Sequence, residues 1–319
     1  MTPRRHVLAA PALLLPAAAR AQGFPTRPVR LVVPFSAAGP TDTIARLVAA
    51  QLEPTWGQPV TVENRPGAGG STGSALVARA APDGHTLLVT ANSHAINPAV
   101  LRNLPFDTLR DFSAVIRLAD GPFVLVAHPG LGVRDMAGFL ALARARPGQL
   151  NYGTPGVGTG NHMGMERLKL LAGLDIAHVP YPGAAPASTA LLAGQVQVML
   201  NNMVNAMPMI AEGRMVALAI GSAQRSSLLP EVPSLGESFP GLTSVNWYGV
   251  FAPAATPAAL VARINAEMAR AIRQPVVAER LMGQGIIPAA GPAEDFSREV
   301  AAEVAEWAEV ARAAGIRPE

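Results

Sequence analysis

A two-lobe α/β fold, each lobe a mainly parallel sheet flanked by helices, is the fold class this sequence predicts. Three observations predict it. The 319 residues are half hydrophobic, enough for two packed cores and more than one core usually organises. Short apolar, β-rich runs alternate with amphipathic helical stretches, the pattern of parallel sheets covered by helices. No tandem repeat or low-complexity linker separates two halves, so the chain is expected to cross between them through short strands, near Gly121 and Pro122 and again near Asn246. The division that follows is 22–122 with 246–319 as the first lobe and 123–245 as the second.

The elements follow in order. Residues 1–21 carry a basic head (Arg4, Arg5), an apolar stretch at 7–19 and the small-residue pattern Ala19, Arg20, Ala21 before Gln22, which is the layout of a secretion signal. A membrane anchor is the competing reading, but the stretch falls short of the roughly 20 apolar residues a span requires, and Pro11 and Pro16 interrupt it. Export to the periplasm is expected, by the general or the twin-arginine route. Residues 29–35 form a near-continuous apolar run, as a strand covered on both faces does. A small-residue loop follows at 36–42, and Ile44, Leu47, Val48 and Leu52 then recur at helical spacing. The second unit repeats the plan with a strand at 60–63, a loop at 64–70 and a helix around 74–81. Pro82, Asp83 and Gly84 turn the chain into a strand at 86–90. Asn151, Tyr152 and Gly153 begin another strand, and a glycine-rich loop at 156–161 opens a helix near His162. Strands at 196–200 and 216–220 enclose a helix, and 247–251 reads as a strand. Thr256 and Pro257 suit an N-cap and a first helical position, with Val261, Ile264, Met268 and Ile272 as the buried stripe. The last helix has Phe296, Val300, Val304, Trp307 and Ala311 as its own.

Charge and composition exclude several functions. The net charge of +3 comes from residues 1–21, where Arg4, Arg5 and Arg20 meet no acid, and the remainder is balanced. Lys169 is the only lysine. Without a basic run there is no footprint for a nucleic-acid backbone, and no nucleic-acid partner is expected. The chain has no cysteine, which removes disulfides and thiolate metal sites. His6, His85, His94, His128, His162 and His178 are scattered without metal-ligand spacing, and no close carboxylate pair suits acid–base work. Neither metal nor cofactor is expected.

The candidate chemistry lies in the loops. A strand that ends in a small-residue loop and opens a helix leaves backbone N–H groups unpaired beside the positive end of the helix dipole. That arrangement holds anions. The loops at 36–42 and 154–161 both have it, in different halves of the chain, and tight turns alone would also account for their composition. Three or four hydrogen bonds to a charged group supply roughly 5–12 kcal/mol gross. Micromolar binding corresponds to about 8 kcal/mol, so neutral donors suffice where closure excludes water. Asp42 reads as a first-turn acid that orders its loop, while His94, just after a strand, and His162, at the mouth of the second loop, both lie where a ligand could be reached. Gly69, Gly70, Ser71, Thr72 and Gly73 match the G-x-S-x-G pattern of a hydrolase. However, a loop containing Pro66 separates the strand from Ser71, whereas a nucleophile elbow needs the serine on a sharp turn directly off the strand. A serine hydrolase using Ser71 and a ligand sensor for a membrane signalling partner are the alternatives to a binding protein that performs no chemistry.

From residue 24 onward the chain resembles the tripartite tricarboxylate transporter solute-binding proteins, also called the Bordetella-uptake-gene family. The resemblance rests on Arg27, Pro28 and Val29 with the apolar run to Phe35, on Asp42 with Ala45 and Arg46, and on Val62, Glu63, Asn64, Arg65, Pro66, Gly67, Ala68, Gly69 and Gly70. Further matches are Ala81 to Leu88, Val179, Pro180 and Tyr181, then Trp247, Tyr248 and Gly249 with Ala252 and Pro253. It implies a periplasmic type II binding-protein fold, monomeric and not enzymatic, that closes on a small organic acid and hands it to inner-membrane permease components. The ligand-binding residues implied are Phe35, Ser36, Ala37, Ala38, Gly39, Thr41 and Asp42 in the first loop and Asn92 and Ser93 after the strand at 86–90. Gly156, Gly158, Thr159 and His162 stand in the second loop, with Tyr181 and Asn201 near the cleft. Ala38 stands where the family commonly has glycine, which is expected to narrow the space for a ligand. Ala190 and Asn201 stand where it commonly has aspartate, and the loss of a negative side chain points to a cargo without an amine, such as a dicarboxylate or an aromatic acid.

Overall fold

The computed structural model describes residues 23–318; the secretion signal expected at 1–21 lies outside the described residues. Val29–Val33 (β1) begins the first sheet, followed by the crossover helix Pro40–Trp56 (α1), Val60–Asn64 (β2), the helix Ser71–Ala78 (α2) and Thr86–Ala91 (β3). β1 lies between β2 and β3, parallel to both. Helices cover both faces of this sheet, and every residue of β3 is buried. Ser93–Val100 (α3) leaves β3 after a single residue, Asn92. The chain then enters Phe112–Ala127 (β4), a strand of 16 residues.

The next block builds the other sheet. Met136–Ala145 (α4), Leu150–Thr154 (β5), Gly160–Ala172 (α5) and Ile176–Pro180 (β6) come first, then Ala184–Leu192 (α6), Val198–Asn202 (β7), Met203–Ala211 (α7) and Val216–Ile220 (β8). A single turn of helix, Leu235–Ser238 (α8), precedes Val245–Pro253 (β9), which returns to the first sheet. Ala258–Ile272 (α9), Pro275–Met282 (α10), the short strand Ile287–Pro288 (β10) and Ala293–Ala313 (α11) complete the chain.

β4 belongs to both sheets. Up to Pro122 it pairs antiparallel with β9, and from Phe123 to Ala127 it lies between β7 and β8. The strand orders are therefore β2-β1-β3-β9-β4-β10 and β8-β4-β7-β5-β6. β1 to β3 are parallel among themselves, as are β5 to β7, and every antiparallel pairing involves β4 or β9. Gly121 opposes Asn246 where the chain passes from one sheet to the other. A methyl group at Gly121 would stand 3.0 Å from the Tyr248 ring, so the strand needs glycine there because the ring covers its backbone.

Side-chain alternation along β4 divides the second core, as a strand's period of two requires. Leu125 and Ala127 join Phe139, Tyr152, Leu168 and Leu200 on one face, while Val124 and Val126 meet Leu191, Met199 and Ala206 on the other. In the first sheet Leu31, Leu87 and Val89 pack on Ile44, Leu52 and Ile264. Its opposite face is aromatic, with Trp247 and Phe251 against Phe106, Phe112, Phe296 and Trp307.

Several expectations shift by a turn or less. The strand expected at 196–200 runs at Val198–Asn202 because β4 pairs with it as far as Asn202. Pro257, not Thr256, is the N-cap residue of α9, and the Thr256 hydroxyl is buried without a hydrogen-bond partner. His94 does not approach a ligand surface. It is boxed by Phe106, Phe112 and Phe251 with ring centroids 4.7–5.5 Å away, and neither ring nitrogen has a partner.

Burial holds the His94 ring down to about 3, whereas a histidine in the unfolded chain takes its proton near 6.5. Between those values the unfolded state binds the extra proton, so stability falls on acidification from pH 6.5. The loss from this one residue approaches about 1.4 kcal/mol per pH unit. His94→Leu is expected to remove that slope: between pH 7 and pH 5 the urea midpoint of the variant should fall less than that of the wild type.

Candidate functional site

The first loop is built around a buried carboxylate. Asp42, in the first turn of α1 and 3% exposed, accepts at Oδ2 from the Ala38 N–H and from Arg46 Nε, both at 2.9 Å, and at Oδ1 from Asn64 Nδ2 at 2.9 Å. Burial pushes this carboxyl up, but the hydrogen bonds from Arg46, Ala38 and Asn64 outweigh it and hold the group below the usual carboxylate range. Asp42 is thus occupied by protein donors. Asn64 also donates to the Phe35 carbonyl at 3.1 Å, clamping both ends of the loop. Thr41 is buried, Phe35 and Gly39 are half-buried, and Ser36, Ala37 and Ala38 are exposed.

Ala38 adopts φ 65°, a left-handed conformation that costs a residue with a Cβ roughly 1 kcal/mol and glycine nothing. The advantage of glycine at this position therefore lies in the backbone, before any question of room for a ligand. The glycines of the neighbouring loop have two causes. Gly70 sits at φ 94°, a backbone that strains any side chain, with the Phe35 ring at an ordinary 3.4 Å from the position of a methyl group, whereas a methyl group at Gly73 would stand 2.8 Å from Pro34 Cβ. Ser71 is the first residue of α2, separated from β2 by residues 65–70.

The second loop is held from behind by a stack of rings. Thr159 caps α5, its Oγ1 accepting from the His162 N–H at 3.3 Å and donating to the Gly156 carbonyl at 2.9 Å. His162 Nδ1 accepts from the Gly158 N–H at 3.2 Å, and its ring stacks on His178 at 4.0 Å, which stacks on Tyr152 at 4.8 Å. His178 Nε2 lies 2.6 Å from Thr154 Oγ1. The Tyr152 hydroxyl donates to Glu166, which Lys169 pairs at 2.7 Å. Burial lowers His162 to about 4, Glu166 opposing the shift and Lys169 adding to it; it lowers His178 to about 3, the His162 and Lys169 charges adding to it. Both rings are neutral at physiological pH. Tyr181 flanks the loop, its N–H donating to the Thr154 carbonyl at 2.9 Å. Asn201 is fully buried under α6, Nδ2 donating to Ser188 Oγ at 3.3 Å, while Oδ1 has no partner.

The two halves meet where α3 and α5 begin. Asn92 is fixed by β9, its N–H donating to Asn246 Oδ1 at 3.3 Å and its Nδ2 to the Val245 carbonyl at 3.4 Å. A methyl group at Gly160 would stand 2.7 Å from that Nδ2, and one at Gly158 would stand 2.5 Å from Val100 Cγ2 on α3. The first turn of α5 leaves the Gly160 and Asn161 N–H groups without intrahelical acceptors. Ser93, which follows Asn92 as the first residue of α3 and is 7% exposed, has a buried Oγ with no hydrogen-bond partner. The structure thus brings Asn92 against Gly160 and Val100 against Gly158, with Ser93 next to Asn92 in the chain. The loop at 36–42 stands one layer away, joined through the Phe35 contact with Gly70 and through Asn97, which donates to the Gly69 carbonyl at 3.2 Å. A groove of about 520 Å³ lies elsewhere, on α9, lined by Asn265, Ala269, Arg270, Arg273 and Pro292.

Asn64, Asn97 and Val100 were not singled out as site residues by sequence reasoning, and Asn246 was marked only as a crossing point between lobes, although all four hold the loops in place. Asn64 also left a signal, since it falls within the run shared with the family. The others act through contacts between segments far apart in the chain.

Two sheets sharing a strand, with helix N-termini facing each other at the seam, make this a periplasmic-binding-protein fold of type II. The solved structures similar to it include the R. palustris protein with adipate, 35% identical with a TM-score of 0.84 over 93% of this chain and 100% of that one. MatC of Rhodopseudomonas palustris with bound malate is 36% identical with a TM-score of 0.80, over 90% and 99% of the two chains. A UPF0065 protein from the tcbD–tcbE intergenic region of Pseudomonas sp. strain P51 is 38% identical over 95% of this chain and 92% of its own. Residues 44–316 match the tripartite tricarboxylate transporter family receptor, and the chain belongs to that family. It is a solute-binding protein and not an enzyme. Among the described residues no helix is long and apolar enough to cross a membrane.

Ala38→Gly is expected to raise stability by about 1 kcal/mol, read as a higher thermal midpoint. Gly158→Ala combines a side chain at φ 73° with the Val100 contact and is expected to lower stability by about 1–3 kcal/mol; an unchanged midpoint would contradict the close approach of α5 to α3.

Proposed function

We propose that this protein is an extracytoplasmic receptor that closes its two lobes on a small organic carboxylate and delivers it to inner-membrane permease components. The observation that carries the reading is the convergence of the α3 and α5 N-termini at Asn92 and Gly160, beside a buried Ser93 hydroxyl that lacks a partner. Helix N-termini favour negative oxygen atoms, and a buried hydroxyl without a partner costs free energy that a ligand acceptor removes. The lobes are residues 22–122 with 246–319 and residues 123–245, joined through β4 and β9. Asn92, Ser93, Gly156, Gly158, Thr159 and Tyr181 line the cleft from the two sides, and the loop from Phe35 to Asp42 closes it. The sequence of residues 1–21 supports export to the periplasm.

The ligands of the two R. palustris proteins, adipate and malate, favour a dicarboxylate. Asn201 in place of the family's usual aspartate favours a cargo without an amine. Thermal shifts with malate, adipate and succinate are therefore expected to exceed those with aspartate and glutamate when all are compared at one concentration, a ligand present at 100 times its dissociation constant adding about 2.7 kcal/mol. Asn92→Ala and Ser93→Ala should each weaken binding about fivefold to tenfold, whereas Ser71→Ala should leave it unchanged. A larger shift with the amino acids would sink the cargo assignment. The absence of any shift across organic acids would sink the receptor reading.

A further inference from the structure

The ring stack behind the second loop bears on how that loop keeps its shape, and its consequence rests on the carboxylate-site reading above. His162 is 96% hidden from solvent, being 4% exposed, and its Nδ1 accepts the Gly158 N–H. A neutral imidazole that accepts at Nδ1 carries its proton at Nε2. The ring cannot turn freely, because His178 and Tyr152 are stacked in series against it, and Thr154 and Glu166 hold those two in turn through hydrogen bonds. The His162 main chain is tied as well, to the Thr159 cap. Side chain and backbone of one residue therefore brace the turn at 158–162, which contains the N–H groups of Gly160 and Asn161. Gly158 sits at φ 73° with Val100 beside it, so this N–H has one direction available and His162 already occupies it.

We propose that His162 is a positioning residue of the carboxylate site, acting through Nδ1 on the Gly158 N–H to set the α5 N-terminus, and that it donates nothing to the ligand itself. Gly158 accordingly contributes shape and not a ligand hydrogen bond. The alternative, donation to the ligand from Nε2, uses the other nitrogen, and the two readings separate cleanly. Asparagine places an acceptor oxygen near the position of Nδ1, and glutamine places a donor near the position of Nε2.

His162→Asn and His162→Gln are to be compared with the wild type for binding of malate and adipate by calorimetry, and for hydrogen exchange at the Gly158 amide by NMR. His162→Asn is expected to bind within about threefold of the wild type and to keep the Gly158 amide protected. His162→Gln should weaken binding by about tenfold and speed Gly158 exchange by a similar factor. Retained binding in His162→Gln with loss in His162→Asn would overturn the proposal in favour of direct donation. Retained binding and protection in both variants, or binding lost in both while His162→Asn keeps its Gly158 protection, would overturn it too. If the wild type binds neither acid, the cargo assignment fails, and Gly158 exchange in the unliganded variants still decides the role of His162.

Discussion

The architecture depends on one strand serving two sheets. β4 is long enough to pair with β9 in the first sheet and with β7 and β8 in the second; its second half is buried throughout, whereas its first half alternates buried apolar residues with the half-buried Arg117 and Asp120. Because its hydrogen bonds are committed on both sides, the strand cannot leave one sheet without breaking the other. The two parallel sets, β1 to β3 and β5 to β7, are thereby held so that the helices following β3 and β5 begin beside each other. The place where α3 and α5 meet is a product of that shared strand and not of either loop alone.

The same seam bears on how the proposed carboxylate would be held with few basic side chains at hand. The arginine nearest the first loop, Arg46, is paired with Asp42, and the only lysine is tied to Glu166 behind the second. What remains for a ligand is backbone N–H groups, a serine hydroxyl and an asparagine. Such donors are fixed by secondary structure, so little ordering entropy is lost on binding. They bind tightly only where water is excluded, and the glycines at 158 and 160, which let α5 approach α3, allow that exclusion. Buried histidines fit this economy of charge. His94, His162 and His178 are all kept neutral by burial, so these three rings add no charge to the interior.

Small residues in the loops have several physical causes, and the sequence shows only their sum. Gly73 is small because Pro34 lies on it, Gly70 because its backbone is left-handed at φ 94°, and Gly158 and Gly160 because the opposite half lies on them. Position 38 favours glycine because its backbone is left-handed, and alanine is tolerated there at a modest cost. A glycine-rich run is therefore a reliable sign of a loop opening a helix and a poor guide to which residue touches a ligand. His94 illustrates the reverse error. It follows a strand that leads to the seam, yet its ring turns into the aromatic core, since one residue of helical rotation separates Ser93 at the seam from His94 within the packing.

The sequence by itself determined the fold class, the strand–loop–helix units that begin with β1, β2 and β5, the buried stripes of α9 and α11, and, through the shared motifs, the family; it carried no sign of the strands β4 and β6 or of the helices α3 and α4. The features it determined are local in origin: hydrophobic period, turn residues and capping residues act over a few positions, and apolar runs state which faces must be covered. Tertiary structure alone decided that β4 continues through both sheets, that Gly158 and Gly160 lie against Val100 and Asn92, that Asn246 holds Asn92, and that two histidines sixteen residues apart stack behind the second loop. Those facts depend on the register between strands and on helix placement across a seam, where a shift of one residue reverses every side chain. No period or spacing within a single segment encodes the partner it will meet.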